Sequence, residues 1–183
     1  MDIFDNEFLN FWRSLNKYGV KYMMVGGVAT NLHGYERTTN DVDLLLKDTL
    51  ENRQKLRLAF KDYGMGDFEM MERLQFVPGW TDFHLNNGVR LDIMTDMKGL
   101  EEFSFEDCFQ LASIANIENV LISFLYINHL IANKKTRKPA ERPIGRYIPR
   151  KNKKVKGRRK WLRYLFNYSC FSAPEPYLCA KFR

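Results

Sequence analysis

A modest α/β fold, a small mixed sheet flanked by helices, is what this sequence predicts. Three observations predict it. Segments with apolar residues at helical spacing alternate with apolar runs of strand length. Two of those runs are joined by Asn86-Asn87-Gly88, a turn that favours an antiparallel hairpin. Apolar residues make up 45% of the 183 positions and aromatics 14%, enough to bury a core and to exclude wholesale disorder.

The elements follow in order. Glu7 to Lys17 sets Phe8, Phe11, Trp12 and Leu15 on one helical face, with Gly19 as the stop. Lys21 to Val25 is a short buried strand that runs into Gly26-Gly27, and Val28 to Leu32 starts a helix broken at His33-Gly34. Tyr35 to Asn40 is polar. Asp41 to Lys47 alternates, with Val42, Leu44 and Leu46 on one face and Asp41, Asp43 and Leu45 on the other. Leu50 to Tyr63 has Leu56, Leu58, Ala59 and Phe60 among charges, a surface helix ending at Gly64. Gln75 to Leu85 is a looser strand region interrupted by Pro78-Gly79. Beyond the turn, Val89 to Thr95 alternates again, Leu91 and Ile93 opposing Arg90, Asp92 and Met94. Helices are expected over Phe103 to Ala112 and Leu125 to Lys134, around a short strand at Val120 to Ser123.

Charge divides the chain. Residues 1–133 hold 12 Lys and Arg against 20 Asp and Glu, whereas residues 134–183 hold 17 against 2. The helical pattern stops near residue 135, where Pro139, Pro143 and Pro149 appear among dense Lys and Arg. The expected organisation is a globular domain over 1–135 and a basic, poorly ordered tail over 136–183. Cys108, Cys170 and Cys179 are too few for a disulfide framework, and His33, His84 and His129 stand too far apart for a zinc motif. The uncharged run from Asn119 to Asn133 is shorter than the roughly 20 apolar residues of a spanning helix. The acidic start lacks the basic region of a signal peptide, so a cytoplasmic location is expected.

Asp41 and Asp43 are two apart on a strand and share a face, with the apolar face behind them committed to the core. Asp92 stands on another strand in the same relation to Leu91 and Ile93. If the two strands are neighbours, three carboxylates converge, and such a concentration of like charge calls for a cation. All-oxygen ligands suit Mg²⁺, and a shared aspartate can bridge two ions about 3.5–4 Å apart. Upstream, Gly26-Gly27 lets the backbone approach a ligand where a helix N-terminus offers N–H groups to phosphate.

This arrangement, from Tyr22 to Asp92 and more weakly to Lys134, resembles the nucleotidyltransferase superfamily that shares the fold of DNA polymerase beta. Gly26-Gly27-Val28-Ala29 and His33-Gly34-Tyr35-Glu36-Arg37-Thr38-Thr39-Asn40-Asp41-Val42-Asp43-Leu44 are similar to bacterial stand-alone members related to the AbiEii-type toxin nucleotidyltransferases. The resemblance implies that Asp41, Asp43 and Asp92 bind two Mg²⁺ ions and align a nucleoside triphosphate such as ATP for attack on its α-phosphate. It also implies phosphate contacts from Gly26, Gly27, Arg37 and Lys134, and a toxin–antitoxin role with a cognate partner. Many members carry Gly-Ser where this chain has Gly26-Gly27, so a serine contact to phosphate is missing. Arg37 also reads as a solvated loop charge, His33 as a cap or packing residue, and Lys134 as a helix-end lysine balancing the macrodipole.

Two functions of different class stay open. One is an Mg²⁺-dependent transfer of a nucleoside monophosphate to a hydroxyl on a protein, a tRNA or a small molecule. The other is a catalytically inactive binding module or antitoxin of the same fold, whose basic tail meets nucleic acid. Related proteins continue after the lysine with an arginine and a spaced pair of aspartates; here the run is Thr136-Arg137-Lys138-Pro139, and the acidic positions are missing. The tail is thus either a clamp on RNA or DNA, with Trp161, Tyr164, Phe166 and Tyr168 to stack on bases, or unselected sequence left by a frame change.

Overall fold

The helical spacing of Phe8, Leu9, Phe11, Trp12 and Leu15 closes into α1 (Asn6–Lys17) in the computed structural model, which describes residues 5–73, 76 and 81–136. Asp5 caps this helix by accepting the N–H of Glu7, and all five of those side chains are buried. β1 (Tyr22–Val25) is buried along its whole length, as a run of four apolar residues requires of a central strand. It passes directly into α2 (Gly26–Leu32), and a polar loop leads to β2 (Asp41–Leu46). α3 (Leu50–Tyr63) is capped by Thr49 and stopped by Gly64, whose φ of 94° is the left-handed conformation that glycine supplies without strain.

α4 (Met70–Arg73), one short turn, was not anticipated from the sequence; Arg57 of α3 ion-pairs with Glu72 at 2.8 Å and with Asp67 just before it. β3 (Thr81–His84) and β4 (Arg90–Met94) form the expected hairpin around Asn86-Asn87-Gly88. The strand expected from Gln75 is described only from Thr81; residues 74, 75 and 77–80 lie outside the described set, as does the tail from residue 137. α5 (Phe105–Gln110) opens on a reciprocal Ser104–Asp107 capping box. β5 (Ser113–Ile117) is an addition to the expected elements, pairing with β6 (Val120–Phe124) through a two-residue turn, Glu118-Asn119, with both residues at positive φ. α6 (Ile127–Thr136) completes the chain order, starting two residues later than expected.

The six strands lie in the order β3-β4-β2-β1-β6-β5, so the expected mixed α/β sheet flanked by helices is present. β1 is antiparallel to β2 and parallel to β6, and β2 is parallel to β4. Val42, Leu44, Leu46, Leu91 and Tyr22 share one face. α1 and α3 cover it: Trp12 stacks on Tyr22 at 5.2 Å, Phe11 meets Phe60 at 6.0 Å, and Phe60 meets Phe83 at 5.1 Å. The aspartates project from the other face, which is itself apolar along β1 and at the end of β2, where Met23, Val25 and Leu45 are buried. Among the described residues no helix is long and apolar enough to cross a membrane.

One buried side chain fastens this layer to the strands. Asn52 of α3 accepts the N–H of Lys21 at 2.7 Å and donates to the carbonyls of Lys21 at 2.9 Å and Lys47 at 2.8 Å. It thereby satisfies backbone groups at the start of β1 and the end of β2. Both carbonyls also accept backbone N–H groups, that of Lys21 from Lys47 at 3.2 Å and that of Lys47 from Thr49 at 3.1 Å. Asn52→Ala would therefore orphan the Lys21 N–H and weaken the strand junction, and we expect urea unfolding to show a loss of about 1–3 kcal/mol. A loss below about 1 kcal/mol would contradict this role for Asn52.

Candidate metal centre

The parallel pairing of β2 with β4 runs in a register that sets Asp43 opposite Asp92 and Asp41 opposite Arg90. Because side chains alternate along a strand, Asp41, Asp43 and Asp92 all project from the face opposite the core layer. One carboxylate oxygen from each lies within 4.8 Å of the others. Asp92 is buried, while Asp41 and Asp43 are half-buried. At that separation each pair of full negative charges costs about 3–4 kcal/mol for an effective dielectric constant of about 20.

Two neighbours partly offset this repulsion. The Thr39 hydroxyl donates to Asp41 Oδ1 at 2.6 Å, fixing that carboxylate from the loop before β2. Arg90 Nε donates to Asp92 Oδ1 at 2.7 Å, and the bond raises the pKa of the guanidinium above its ordinary value. Neither residue was singled out from the sequence. The signal was available, since each lies two positions upstream of an aspartate and Arg90 shares the face of Asp92 by strand alternation. Asp82, exposed on β3, stands opposite Asp92 in the ladder and adds a further carboxylate to that side of the face.

Gly26 and Gly27 are explained by packing against the aspartate strand. A Cβ on Gly26 would sit 1.9 Å from Asp43 Oδ2, and one on Gly27 would sit 2.4 Å from Thr39 Oγ1. Gly26 also has a φ of +65°. Both glycines therefore make room for the carboxylates and their hydrogen-bonding partner. Val25, at the N-cap of α2, makes no side-chain capping bond to the helix start.

The remaining sequence-selected residues are placed as follows. Arg37 is exposed on the loop before β2, where Asn31 holds its backbone N–H at 2.9 Å and its carbonyl at 3.0 Å. Lys134 is exposed on α6, outside the three-carboxylate cluster. His33 caps α2; its Nε2 lies 2.9 Å from the carbonyl of Leu125 and its ring packs edge-on against Phe124 at 4.7 Å. The ring is engaged in packing, which favours the structural reading of that histidine.

The donor set is all carboxylate oxygen, which suits a hard divalent cation such as Mg²⁺ or Mn²⁺ and argues against zinc. No protein-family model matches the chain, and no curated protein matches it. Among solved structures it is similar to a candidate nucleotidyltransferase from Thermotoga maritima. The identity is 15%, the match covers 66% of this chain and 76% of that one, and the TM-score is 0.48. A likeness of that degree assigns no function, which must be read from the side chains.

The glycine geometry yields a test with an internal control. Gly19 has a φ of +63°, nearly that of Gly26, but open space where a Cβ would lie. Gly19→Ala and Gly26→Ala should share a backbone cost of about 1–2 kcal/mol. Only Gly26→Ala should also displace Asp43, lowering Mn²⁺ affinity in a titration about tenfold or more, the equivalent of one lost charged ligand. Equal Mn²⁺ affinity in the two variants would contradict the packing of Gly26 on the site.

Proposed function

We propose that this chain is a divalent-metal-dependent nucleotidyltransferase, moving a nucleoside monophosphate from a nucleoside triphosphate to a hydroxyl acceptor. The observation that carries the reading is the convergence of Asp41, Asp43 and Asp92 from two parallel strands onto one partly buried point. Asp41 and Asp43 would hold two Mg²⁺ ions between them, and Asp92 would share the ion on the acceptor side. Bound there, the ions supply charge neutralisation at the phosphate oxygens and acidify the acceptor hydroxyl.

The chain's own residues do the rest. Thr39 holds the Asp41 carboxylate in place from the loop. Gly26 and Gly27 keep side chains out of the space beside Asp43 and Thr39. Arg37 and Lys134, both exposed cations, are the proposed contacts to the triphosphate. Asp92 would take the proton from the acceptor hydroxyl. The acceptor oxygen then bonds to the α-phosphorus while the bond to the β-phosphate oxygen breaks and pyrophosphate departs. A protein side chain, a tRNA end or a small molecule can each present such a hydroxyl, and the AbiEii-like motifs place a toxin–antitoxin setting among the proposals.

Metal binding is the first test. At a concentration one hundred times its Kd, a bound divalent ion should stabilise the protein by about 2.7 kcal/mol, visible as a raised Tm. The Asp41→Asn, Asp43→Asn double variant should lose that shift. Incubation with each α-labelled nucleoside triphosphate and a cell lysate then identifies the acceptor by whether label enters protein, RNA or the small-molecule fraction. Label in none of them, with the Tm shift intact, would overturn transfer in favour of a binding module. A Tm shift unchanged in the double variant would overturn the metal centre itself.

A further inference from the structure

Three carboxylates crowd one point, yet the buried member is ion-paired with a cation on its own strand. Arg90 and Asp92 share the same face of β4, and Arg90 Nε meets Asp92 Oδ1 at 2.7 Å. The two partners are held very differently. The Asp92 side chain is 11% exposed, enclosed between β2 and β3, whereas that of Arg90 is 45% exposed. The groups that face Arg90 are carboxylates from its own strand and from both neighbours: Asp92 on β4, Asp82 on β3 and Asp41 on β2, with His84 opposite it in the β3 ladder. Arg90 thus carries positive charge to the point where a metal cation would also be drawn.

Resting on the metal-centre reading above, we propose that Arg90 is a built-in counter-cation: it occupies Asp92 in the metal-free protein, yields it to the entering divalent ion, and then pairs with the polyphosphate of the substrate. A doubly charged ion at the three aspartates and a guanidinium on the Asp92 carboxylate repel each other and draw on the same single negative charge, so the two cations compete for Asp92. The guanidinium is the partner that can leave, because it is nearly half in solvent on a long, flexible stem. Once displaced it remains on the polar face of the sheet, where its planar fork matches the oxygens of a phosphate chain. The device would hold metal affinity down until substrate arrives, since polyphosphate compensates the displaced cation.

This role and a purely structural one predict effects of opposite sign. If Arg90 merely orients Asp92, its removal loosens metal binding. If it competes for Asp92, its removal tightens it. We therefore expect Arg90→Met in the full chain, which keeps an apolar stem, to bind Mn²⁺ alone at least about fivefold more tightly by paramagnetic titration. The same variant should bind the Mn²⁺ complex of inorganic tripolyphosphate about fivefold more weakly than the parent. Arg90→Lys, which keeps the charge, should stay near the parent on both counts, and Arg90→Gln serves as the charge-free variant if Arg90→Met does not fold. Mn²⁺ affinity that is unchanged or weaker in the charge-free variants overturns the inference. Failure of the metal centre is seen separately: Mn²⁺ binding by the parent would then survive Asp41→Asn with Asp43→Asn.

Discussion

The register of one strand pair governs the rest of this molecule. β2 and β4 run parallel with Asp43 set against Asp92. Because side chains alternate, that register also fixes Val42, Leu44, Leu91 and Ile93 on the opposite face, where all four are buried. A slip of one residue would bury the carboxylates beneath α1 and α3 and expose the apolar set. The hydrophobic effect acting on one face therefore positions the charges on the other, and crowding of like charge is the result. The sheet tolerates that crowding through Thr39, Arg90 and partial hydration, and a divalent cation would neutralise it more completely.

The neighbouring strand adds the second constraint. β1 runs antiparallel to β2 with Val25 opposite Asp43, so the residue after β1 meets the carboxylate directly. Only glycine fits there, which ties the Gly26-Gly27 pair to Asp43 and Thr39 through sterics. The glycine pair and the aspartate pair, fifteen or so positions apart in the chain, thus form one packed unit. A substitution at either is expected to register at the other.

Much of this was legible in the sequence because hydrophobic periodicity and charge coincide in the central strands. Asp41 to Leu44 alternates before the run of leucines that closes β2, and Leu50 to Tyr63 is bounded by a threonine cap and a terminal glycine, so strand and helix emerge where the pattern puts them. The three aspartates were legible for the same reason, since period-two alternation assigns each to the polar face. β5 was not. Ser113 to Ile117 is an edge strand whose Ile114 is exposed, and its turn, Glu118-Asn119, takes positive φ without a glycine to signal it. Arg90 and Thr39 were within reach of the same local reading, each two positions before its aspartate, but a cation or hydroxyl so close to a carboxylate is ordinary in any chain. What gives them weight is the pairing of β2 with β4, which brings their aspartates together, and pairing, unlike alternation, is a tertiary fact. Lys134 shows the reverse case, a residue selected by motif whose position on an exposed helix surface does not by itself bring it to the aspartates.

The central claim, that the face bearing Asp41, Asp43 and Asp92 binds divalent metal to present a nucleoside triphosphate, is tested most directly by anomalous X-ray scattering. Crystals grown with Mn²⁺ and an unreactive triphosphate analogue would be measured at the manganese absorption edge. The account predicts two anomalous peaks within ligand distance of Asp41 and Asp43, one of them also bound to Asp92, with the triphosphate oxygens completing their coordination. Manganese bound elsewhere on the protein, with the three carboxylates bare and the nucleotide seated away from them, would contradict it.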